Sequence, residues 1–416
     1  MKRWIIASCL VMAGSAAAAD PSEPITFPEA VKRAIAHNPD RRIALIEIER
    51  VDGLLREATA ALLPQLAASG TYTRLESNRY VAMNLEAAAN SLLAELTIAT
   101  PLVDLHAIAE RKRAKDQVDV TAAQAESTKR DVAIATARAY FMAYTTARQL
   151  EIATHARDTA KGHVDYTTQR HGAGIGNDLD VKRAEAELAT DEADIASAVT
   201  ARLRAEEALG VIIGSDRPAA AASEPDLGEP HAGPGIGTRA DVIASQRALD
   251  ASMWSRDHDW WDWIPTLRLA GDGFFSAPQL APIPRWGYDL ALTLSVPIYD
   301  GGFRHGEHEQ HLADEAEALE RDAATTREAS SEVRTARTAV DDTRNARDAA
   351  RHAAELAAAT LDLATSGYKA GTATSLDVID AQRTALDSAT SALLAEDQFR
   401  QAELDLLAAT GAFPPK

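Results

Sequence analysis

The sequence has 416 residues, a formal net charge of −19 and a single cysteine. A chain this acidic is not expected to bind nucleic acid, whose phosphates require clustered Lys and Arg, and one cysteine excludes an internal disulfide framework. Beyond the first residues no segment is apolar over about 18 positions, so no transmembrane helix is predicted.

The chain begins with the features of a secretory signal peptide, expected at residues 1–19. A basic start, Met1 to Arg3, precedes an apolar run from Trp4 to Met12, and the small residues Ala17 to Ala19 precede Asp20. This order is typical of a cleaved secretion signal. Cys9 lies inside the run, in a segment that loosely resembles a lipoprotein cleavage box. Because the apolar run continues past Cys9, cleavage without lipidation is the favoured interpretation.

The remainder of the chain contains two similar halves. Gly174 and Gly371 lie 197 residues apart, and each is followed six residues later by Asp-Val. Proline-free runs of 116 residues follow Pro101 and Pro297. Proline is excluded from helix interiors because it lacks an amide donor and clashes with the preceding turn. Each run therefore predicts a long helical hairpin that turns at its glycine.

Four short segments before these hairpins alternate between apolar and polar residues. They lie around Leu66–Tyr72, Leu92–Ile98, Leu267–Phe275 and Trp286–Val296. Each alternation lasts about 9–11 residues, the length of a tilted strand that crosses a bilayer, although a half-buried soluble sheet would show the same pattern. Four tryptophans near the strand ends favour the membrane interpretation, as an interfacial aromatic belt: Trp260, Trp261, Trp263 and Trp286.

The predicted fold is mainly α, with duplicated long helical hairpins and four β-strands. Four strands cannot close a barrel, and open edges in lipid leave backbone groups unsatisfied, so we expect three copies to form one barrel of twelve strands. The first helix of each hairpin should run about 65–70 residues, or roughly 100 Å. Asp178 and Ser375 are expected to cap the outgoing helices.

The expected domain order is a first repeat, a linker rich in Gly and Pro, a second repeat and a short tail. Each repeat consists of a helix, a β-hairpin and a long helical hairpin. The boundaries are residues 20–213, 214–237, 238–413 and 414–416.

In this order the motifs resemble the outer-membrane efflux protein family, the TolC-like channels. The motif Gly371 to Val378 carries most of the resemblance, and Gly174 to Val181 carries it more weakly. Further matching motifs stand at helix and strand boundaries: Asn38-Pro39, Leu63-Pro64, Ile264-Pro265 and Pro297 to Gly302.

The resemblance implies a homotrimeric outer-membrane exit duct with a periplasmic α-helical tunnel. Its partners would be a periplasmic adaptor protein, an inner-membrane pump of RND, ABC or MFS type, and outer-membrane lipid. The adaptor would meet the hairpin turns, at Gly174, Ile175 and Gly176 and at Gly371, Thr372 and Ala373. An acidic ring at the periplasmic entrance would comprise Asp180, Asp377 and Asp380. Some relatives have Arg at the position of Ala373, so an entrance latch is not expected from that position.

Enzymatic chemistry is not expected, because the sequence contains no phosphate loop, nucleophile elbow or zinc-protease helix. No cofactor is expected either. His305, His308 and His311 have a spacing at which neighbours on a helix could share a metal, but a polar helix face is the favoured interpretation. The alternative function is a structural periplasmic coiled-coil or adhesin stalk protein, which the alternating strands and the duplicated glycine turn disfavour.

Overall fold

A computed structural model describes residues 22–76, 79–82, 85–87, 89–227, 235–279 and 284–414. The expected signal peptide, with Cys9, lies outside the described residues. The helices are α1 (Phe27–His37), α2 (Pro39–Ala60), α3 (Leu105–Gly172), α4 (Asp178–Ile212), α5 (Ala240–Asp257), α6 (Phe303–Ala370) and α7 (Ser375–Ala409). The strands are β1 (Glu23–Ile25), β2 (Gln65–Arg74), β3 (Arg79–Ala82), β4 (Leu85–Ala87), β5 (Asn90–Val103), β6 (Ala219–Ala221), β7 (Thr266–Ala277) and β8 (Trp286–Ser295). Short 3-10 helices lie at Ile236–Thr238 and Asp259–Trp263.

The two halves repeat one helical hairpin, which confirms the prediction from the glycine and proline spacing. Helices α3 and α6 each have 68 residues, and helices α4 and α7 each have 35. Helix α4 packs along α3, and α7 packs along α6. A helix of this length extends about 100 Å. Contacts of α7 with α3 and α4 hold the two hairpins side by side.

The four predicted strands form one antiparallel sheet in the order β2-β5-β7-β8. Its register aligns their apolar positions: Leu66 lies opposite Ile98, Ile98 opposite Gly271, and Gly271 opposite Leu290. A Cβ added to Gly271 would lie 2.9 Å from Leu290 Cδ2. The absence of a side chain at Gly271 therefore allows the Leu290 side chain to pack over this strand. Because successive side chains point to opposite faces, the four apolar alternations share one face of the sheet.

The opposite face of the sheet is polar. Thr97 on β5 lies opposite Asp272 on β7, which lies opposite Asp289 on β8. Glu95 belongs to the same face, two residues before Thr97. The sheet is therefore apolar on one side, whereas the other side carries these three acidic residues and one basic residue, Arg268.

All four strands connect to the helices at one end of the sheet. Gln65 pairs with Ala99, and Thr266 pairs with Ser295. These paired residues lie next to the end of α2, the start of α3, the Asp259–Trp263 helix and the start of α6. Both hairpins thus extend from the same end of the sheet. Within the described ranges, no helix combines the length and the apolar character needed to cross a membrane.

The main hydrophobic core lies at the middle of α3, far from both the sheet and the hairpin turns. Tyr140 and Phe141 are completely buried there. The Phe27 ring packs against Tyr140 at 5.4 Å and against Phe141 at 5.8 Å between centroids. Leu209 from α4 and Leu404 from α7 complete the same cluster. This core joins α1 and both hairpins at one level.

Part of the stretch expected to be a linker packs beside this hydrophobic core. Ala219–Ala221 forms β6, which pairs in parallel with β1, and Ala219 is fully buried. The Tyr140 hydroxyl donates to the Ser223 carbonyl at 2.9 Å. Three alanines carry no alternation of apolar and polar residues, which is why the sequence did not predict this strand.

Asn38 explains the interruption between α1 and α2. Its side-chain oxygen accepts from the Asp40 amide at 2.9 Å, so it caps α2. Its side-chain amide donates to the Ile212 carbonyl at 3.0 Å, at the end of α4. Asn38 therefore ties the opening helices to the first hairpin.

Substitution of Tyr140 should separate ring packing from hydrogen bonding. Tyr140→Phe should lower the free energy of unfolding by about 1 kcal/mol, because only the bonds to Ser223 are lost. Tyr140→Ala should lower it by about 3–5 kcal/mol, because it also leaves a cavity. Denaturant unfolding followed by circular dichroism measures both values. Equal losses in the two variants would contradict this account of the core.

Candidate functional site at the hairpin turns

The first hairpin turn needs glycine at two positions. Gly174 has φ +76°, in the left-handed region, and its amide donates to the His171 carbonyl at 2.9 Å. At Gly176 an added Cβ would lie 2.6 Å from the His171 amide nitrogen. Asn177 then caps α4, with its side-chain oxygen accepting from the Leu179 amide at 3.0 Å.

The second turn is closed by a reciprocal cap. Gly371 has φ +82°, and the Thr372 amide donates to the Gly367 carbonyl at 2.8 Å. The Thr374 amide donates to Asp377 Oδ2 at 2.7 Å, and the Asp377 amide donates to the Thr374 hydroxyl at 3.2 Å. Together these bonds form a capping box.

The predicted caps Asp178 and Ser375 were wrong by one residue. Asn177 and Thr374 have the extended backbone of an N-cap, and Asp178 and Ser375 are the first helical residues. In a run of consecutive capping-type residues, propensity does not decide which one takes the extended backbone.

The acidic residues predicted at the entrance have different local roles. The Asp377 carboxylate accepts from the backbone and hydroxyl of Thr374, and these bonds hold the pKa of Asp377 below its usual value. Asp380 is exposed one turn further along α7, and no side-chain bond to it exists among the described residues. Asp180 lies in the first turn of α4 and acts electrostatically on His163 and Tyr368.

A cluster of aromatic and basic side chains joins the two hairpin ends. His163 Nε2 lies 2.9 Å from the Ser375 hydroxyl, and the His163 ring lies 5.2 Å from the Tyr368 ring. The Arg170 guanidinium lies over the Tyr368 ring at 4.9 Å and donates to the Tyr368 carbonyl at 3.1 Å. Tyr166 meets the Tyr368 ring edge-on. We call His163, Tyr166, Arg170, Tyr368 and Ser375 the tip cluster.

The sequence did not single out the tip cluster. Arg170 and Tyr368 stand at the start of the two turn motifs, but the repeat does not place them at equivalent positions. His163 lies eleven residues before Gly174, inside a long polar helix. A buried aromatic residue beside a glycine turn is the only local signal, and the contact between hairpins appears only in the tertiary structure.

Burial affects the titration of His163. Its side chain is buried between the hairpin ends, and this loss of hydration lowers the pKa of His163, with the nearby Asp180 carboxylate opposing the effect. The neutral imidazole is therefore the form that packs against Ser375 and Tyr368.

The four tryptophans occupy both ends of the sheet. Trp260, Trp261 and Trp263 lie in the short helix before β7, and Trp286 begins β8 at the opposite end. Trp260, Trp263 and Trp286 are exposed. Trp261 is half-buried, with its ring edge-on to Trp254 at 5.9 Å. The four tryptophans therefore lie at two separate levels, one at each end of the sheet.

The three candidate histidines do not converge on one point. His308 Nδ1 lies 2.8 Å from Asp259, and His311 Nδ1 also contacts that carboxylate. His305 is exposed and lies 3.5 Å from Glu309. Among the described residues, no group of three or more His, Cys, Asp or Glu side chains could hold a metal ion. His308 and His311 instead attach the short helix before β7 to α6.

Acidification should loosen the contact between the hairpin ends. The pKa of His163 is lowered in the folded state, so the unfolded state binds its proton more readily, and this stabilisation is lost as the pH falls below about 6.5. Hydrogen exchange of residues 163–181 and 367–380, corrected for intrinsic rates, should show faster opening at pH about 5 than at pH about 7.5.

His163→Gln is the matched variant for this measurement. Glutamine keeps a side-chain amide near Ser375 but does not titrate. It should remove the pH dependence while leaving protection at neutral pH close to that of the parent chain. An unchanged pH dependence in this variant would assign the effect to another group.

Comparison with known proteins supports the architecture. The family model described as outer membrane efflux protein matches residues 30–215 and 238–412. The outer membrane protein TolC of Escherichia coli is 24% identical over 380 residues, which cover 85% of this chain and 75% of TolC. The fusaric acid resistance protein FusA of Burkholderia cepacia is 28% identical over 206 residues, which are 46% of this chain. The chain spans only 39% of FusA.

A solved structure shows the same fold over nearly the whole chain. A membrane protein from Pseudomonas aeruginosa superposes with a TM-score of 0.81 at 22% identity, and the match covers 99% of this chain and 97% of that one. The two segments matched by the family model contain both helical hairpins and all four strands of the sheet. The chain therefore belongs to the outer membrane efflux protein family.

Proposed function

We propose that three copies of this chain form a passive exit duct through the outer membrane, with the helical hairpins extending into the periplasm. The observation that carries the proposal is the register of the sheet, which places the apolar residues of four strands on one face. Strands β2 and β8 are the sheet edges within the described chain. In lipid such edges must be paired, and three copies would pair them in a barrel of twelve strands.

The dimensions of the sheet agree with a membrane-spanning barrel. From Thr266 to Phe275, strand β7 rises about 30 Å at roughly 3.4 Å per residue, and a tilted strand of this length covers the hydrocarbon core. Trp286 and Tyr288 at one end of β8 are more than 70% exposed. Trp260 and Trp263 at the other end would form the second level of the aromatic belt.

The acidic face of the sheet would line the duct. Asp272, Asp289 and Glu95 belong to that face, opposite the apolar side. A water-filled interior hydrates carboxylates that lipid would not. We therefore infer that the pore prefers cations over anions of similar size.

Exposed apolar side chains on the helices support lateral packing between chains. Ile43 and Ile46 on α2 are exposed, as are Leu356 and Leu363 on α6. Helix pairs built largely on Ala bury little apolar area by themselves. Neighbouring copies would cover these side chains and close the helices into an α-barrel.

The hairpin turns would be the docking site for a periplasmic adaptor linked to an inner-membrane pump. Ile175 is an apolar side chain that is 70% exposed at the first turn, beside Gly174 and Gly176. Gly371, Thr372 and Ala373 form the second turn. The Asp377, Asp380 and Asp180 carboxylates would form the acidic ring of the entrance once repeated by threefold symmetry.

Trimer assembly and conductance test the proposal directly. Chain extracted from outer membranes should migrate as a heat-sensitive trimer, and it should form ion-conducting channels in planar bilayers with a preference for cations. A monomer in detergent that forms no channels would contradict the proposal and favour a structural stalk.

Asp377 and Asp380 should differ in their effects on this channel. Asp380→Ala should weaken channel block by polyvalent cations without changing turn stability, because no described side chain bonds to its carboxylate. Asp377→Ala should weaken block and also increase hydrogen exchange at Thr374, because it removes the capping box. Single-channel recordings with hexamminecobalt(III) measure the block. Unchanged block in the double variant would contradict the acidic ring.

A further inference from the structure

A second site lies within the walls of the hairpins, away from the turns. A cavity of about 430 Å³ opens where α3, α4, α6 and α7 meet. Asp191 lines it thirteen residues after the start of α4, which is about 20 Å along the helix from the turn. This cavity belongs to neither the turns nor the strands, so it lies outside the site proposed above.

Asp191 is a largely buried residue whose carboxylate faces the cavity and has no hydrogen-bond partner in the described part of the chain. It is 5% exposed and lines the cavity. No hydrogen bond or ion pair reaches its side chain from any residue in the described ranges. A buried carboxylate normally has a charged or hydrogen-bonding partner, because an unpaired charge is costly in a poorly hydrated site.

Glu187, one turn earlier on α4, shows the ordinary arrangement. It is 4% exposed, and both its oxygens accept from Arg383 Nε at 2.9 Å. Arg383 Nη2 adds a third bond at 2.5 Å. Arg383 Nε and Nη2 donate to Glu187, and Arg383 acts on Asp191 only through its charge, without a hydrogen bond.

One other polar atom of the cavity lacks a hydrogen-bond donor. The side-chain oxygen of Gln382 on α7 is buried and has no hydrogen-bond partner in the described part of the chain. Gln382 lines the same cavity as Asp191. Asp362 and His155 lie at its exposed rim. The Asp191 carboxylate and the buried Gln382 oxygen accept no hydrogen bond from the described residues, and a ligand that carries N–H groups and positive charge would satisfy both.

Apart from Thr159, whose hydroxyl donates to the His155 carbonyl at 2.9 Å, the remaining walls of the cavity are apolar. They consist of Ile152, Ala156, Ala358, Leu361, Ala385, Leu386 and Ala389. These apolar walls offer no ligands to a bare metal ion. Among the described residues, no group of three or more His, Cys, Asp or Glu side chains could hold one. An organic cation with a small apolar body would pack against these walls and lose little hydration.

We propose that this cavity binds a primary ammonium ion with an apolar body, whose N–H groups donate to Asp191 and Gln382. The ligand would bridge the two hairpins, because Asp191 belongs to the first and Gln382 to the second. Bound ligand therefore stabilises their side-by-side packing.

Protonation of Asp191 competes with the cation. Burial, together with the Glu187 and Asp194 carboxylates, raises the pKa of Asp191 to about 6, while Arg383 opposes the shift. His155 from α3 and Asp362 from α6 face the same cavity. Binding should weaken as the pH falls below about 6.

Calorimetric titration of the full-length protein in detergent with 2-phenylethylammonium tests the proposal. 2-Phenylethanol, which has nearly the same shape and no charge, is the control ligand. The ammonium ion should bind and the alcohol should not. Asp191→Asn should weaken ammonium binding by at least about tenfold, because a charge-assisted hydrogen bond is lost. Asp341→Asn, which changes an exposed carboxylate on α6, should leave binding unchanged.

Thermal unfolding shows that the variant is folded. Asp191→Asn should raise the melting temperature at pH about 7.5, because the penalty for ionising a carboxylate of raised pKa disappears, and should do so by about half as much at pH about 5. A folded Asp191→Asn protein that binds the ammonium ion as tightly as the parent chain would overturn the proposal. So would equal binding of the alcohol, or no ammonium binding to the parent chain. Channel conductance measured on the same preparation tests the exit duct separately.

Discussion

The four-stranded sheet has two edges whose backbone groups the described chain does not pair, and its two faces differ sharply in polarity. One face presents the apolar rows of β2, β5, β7 and β8, and the other presents Glu95, Asp272 and Asp289. A soluble protein would cover such an apolar face with helices. Here both hairpins leave from one end of the four strands and cover neither face. In the assembly proposed above, pairing with further copies in a membrane would satisfy the edges and the apolar face together.

The helical rods depend on a different constraint. Their seams are rich in Ala, so most of their length buries little apolar area, and the large buried side chains gather at the middle of α3. Tyr140 and Phe141 join α1, α4, α7 and the segment with β6 at that level. Between this core and the hairpin turns, polar contacts hold the hairpins together, among them the Glu187–Arg383 pair between α4 and α7. The two hairpins are thus joined by a hydrophobic core at the middle of α3 and more weakly at the end that carries the turns.

This distribution has consequences for the hairpin ends. Charged and aromatic contacts can be loosened by pH or by ligands more readily than a packed apolar core, because small changes in protonation alter their free energy. The tip cluster and the Asp191 cavity both lie between the two hairpins and both contain a buried titratable group. A duct that opens by separating its hairpins would have its adjustable contacts in these places.

The sequence alone determined the duplicated hairpins, because proline spacing and the glycine turns are local signals that tertiary contacts do not override. It also determined the four strands, because period-two alternation identifies one face of a sheet. It did not locate β6, where three alanines carry no alternation, and it misplaced each hairpin cap by one residue, because adjacent polar residues have similar capping propensity.

Only the tertiary structure decided which distant residues meet. His163 and Ser375 are 212 positions apart, and no local pattern indicates that contact. The three histidines on α6 shared a suggestive spacing, yet two of them contact Asp259 and the third points elsewhere. The burial of Asp191 follows from how four helices pack, and no local pattern in the sequence indicates it. Local sequence records propensity and period, whereas burial and pairing depend on chain segments that folding brings together.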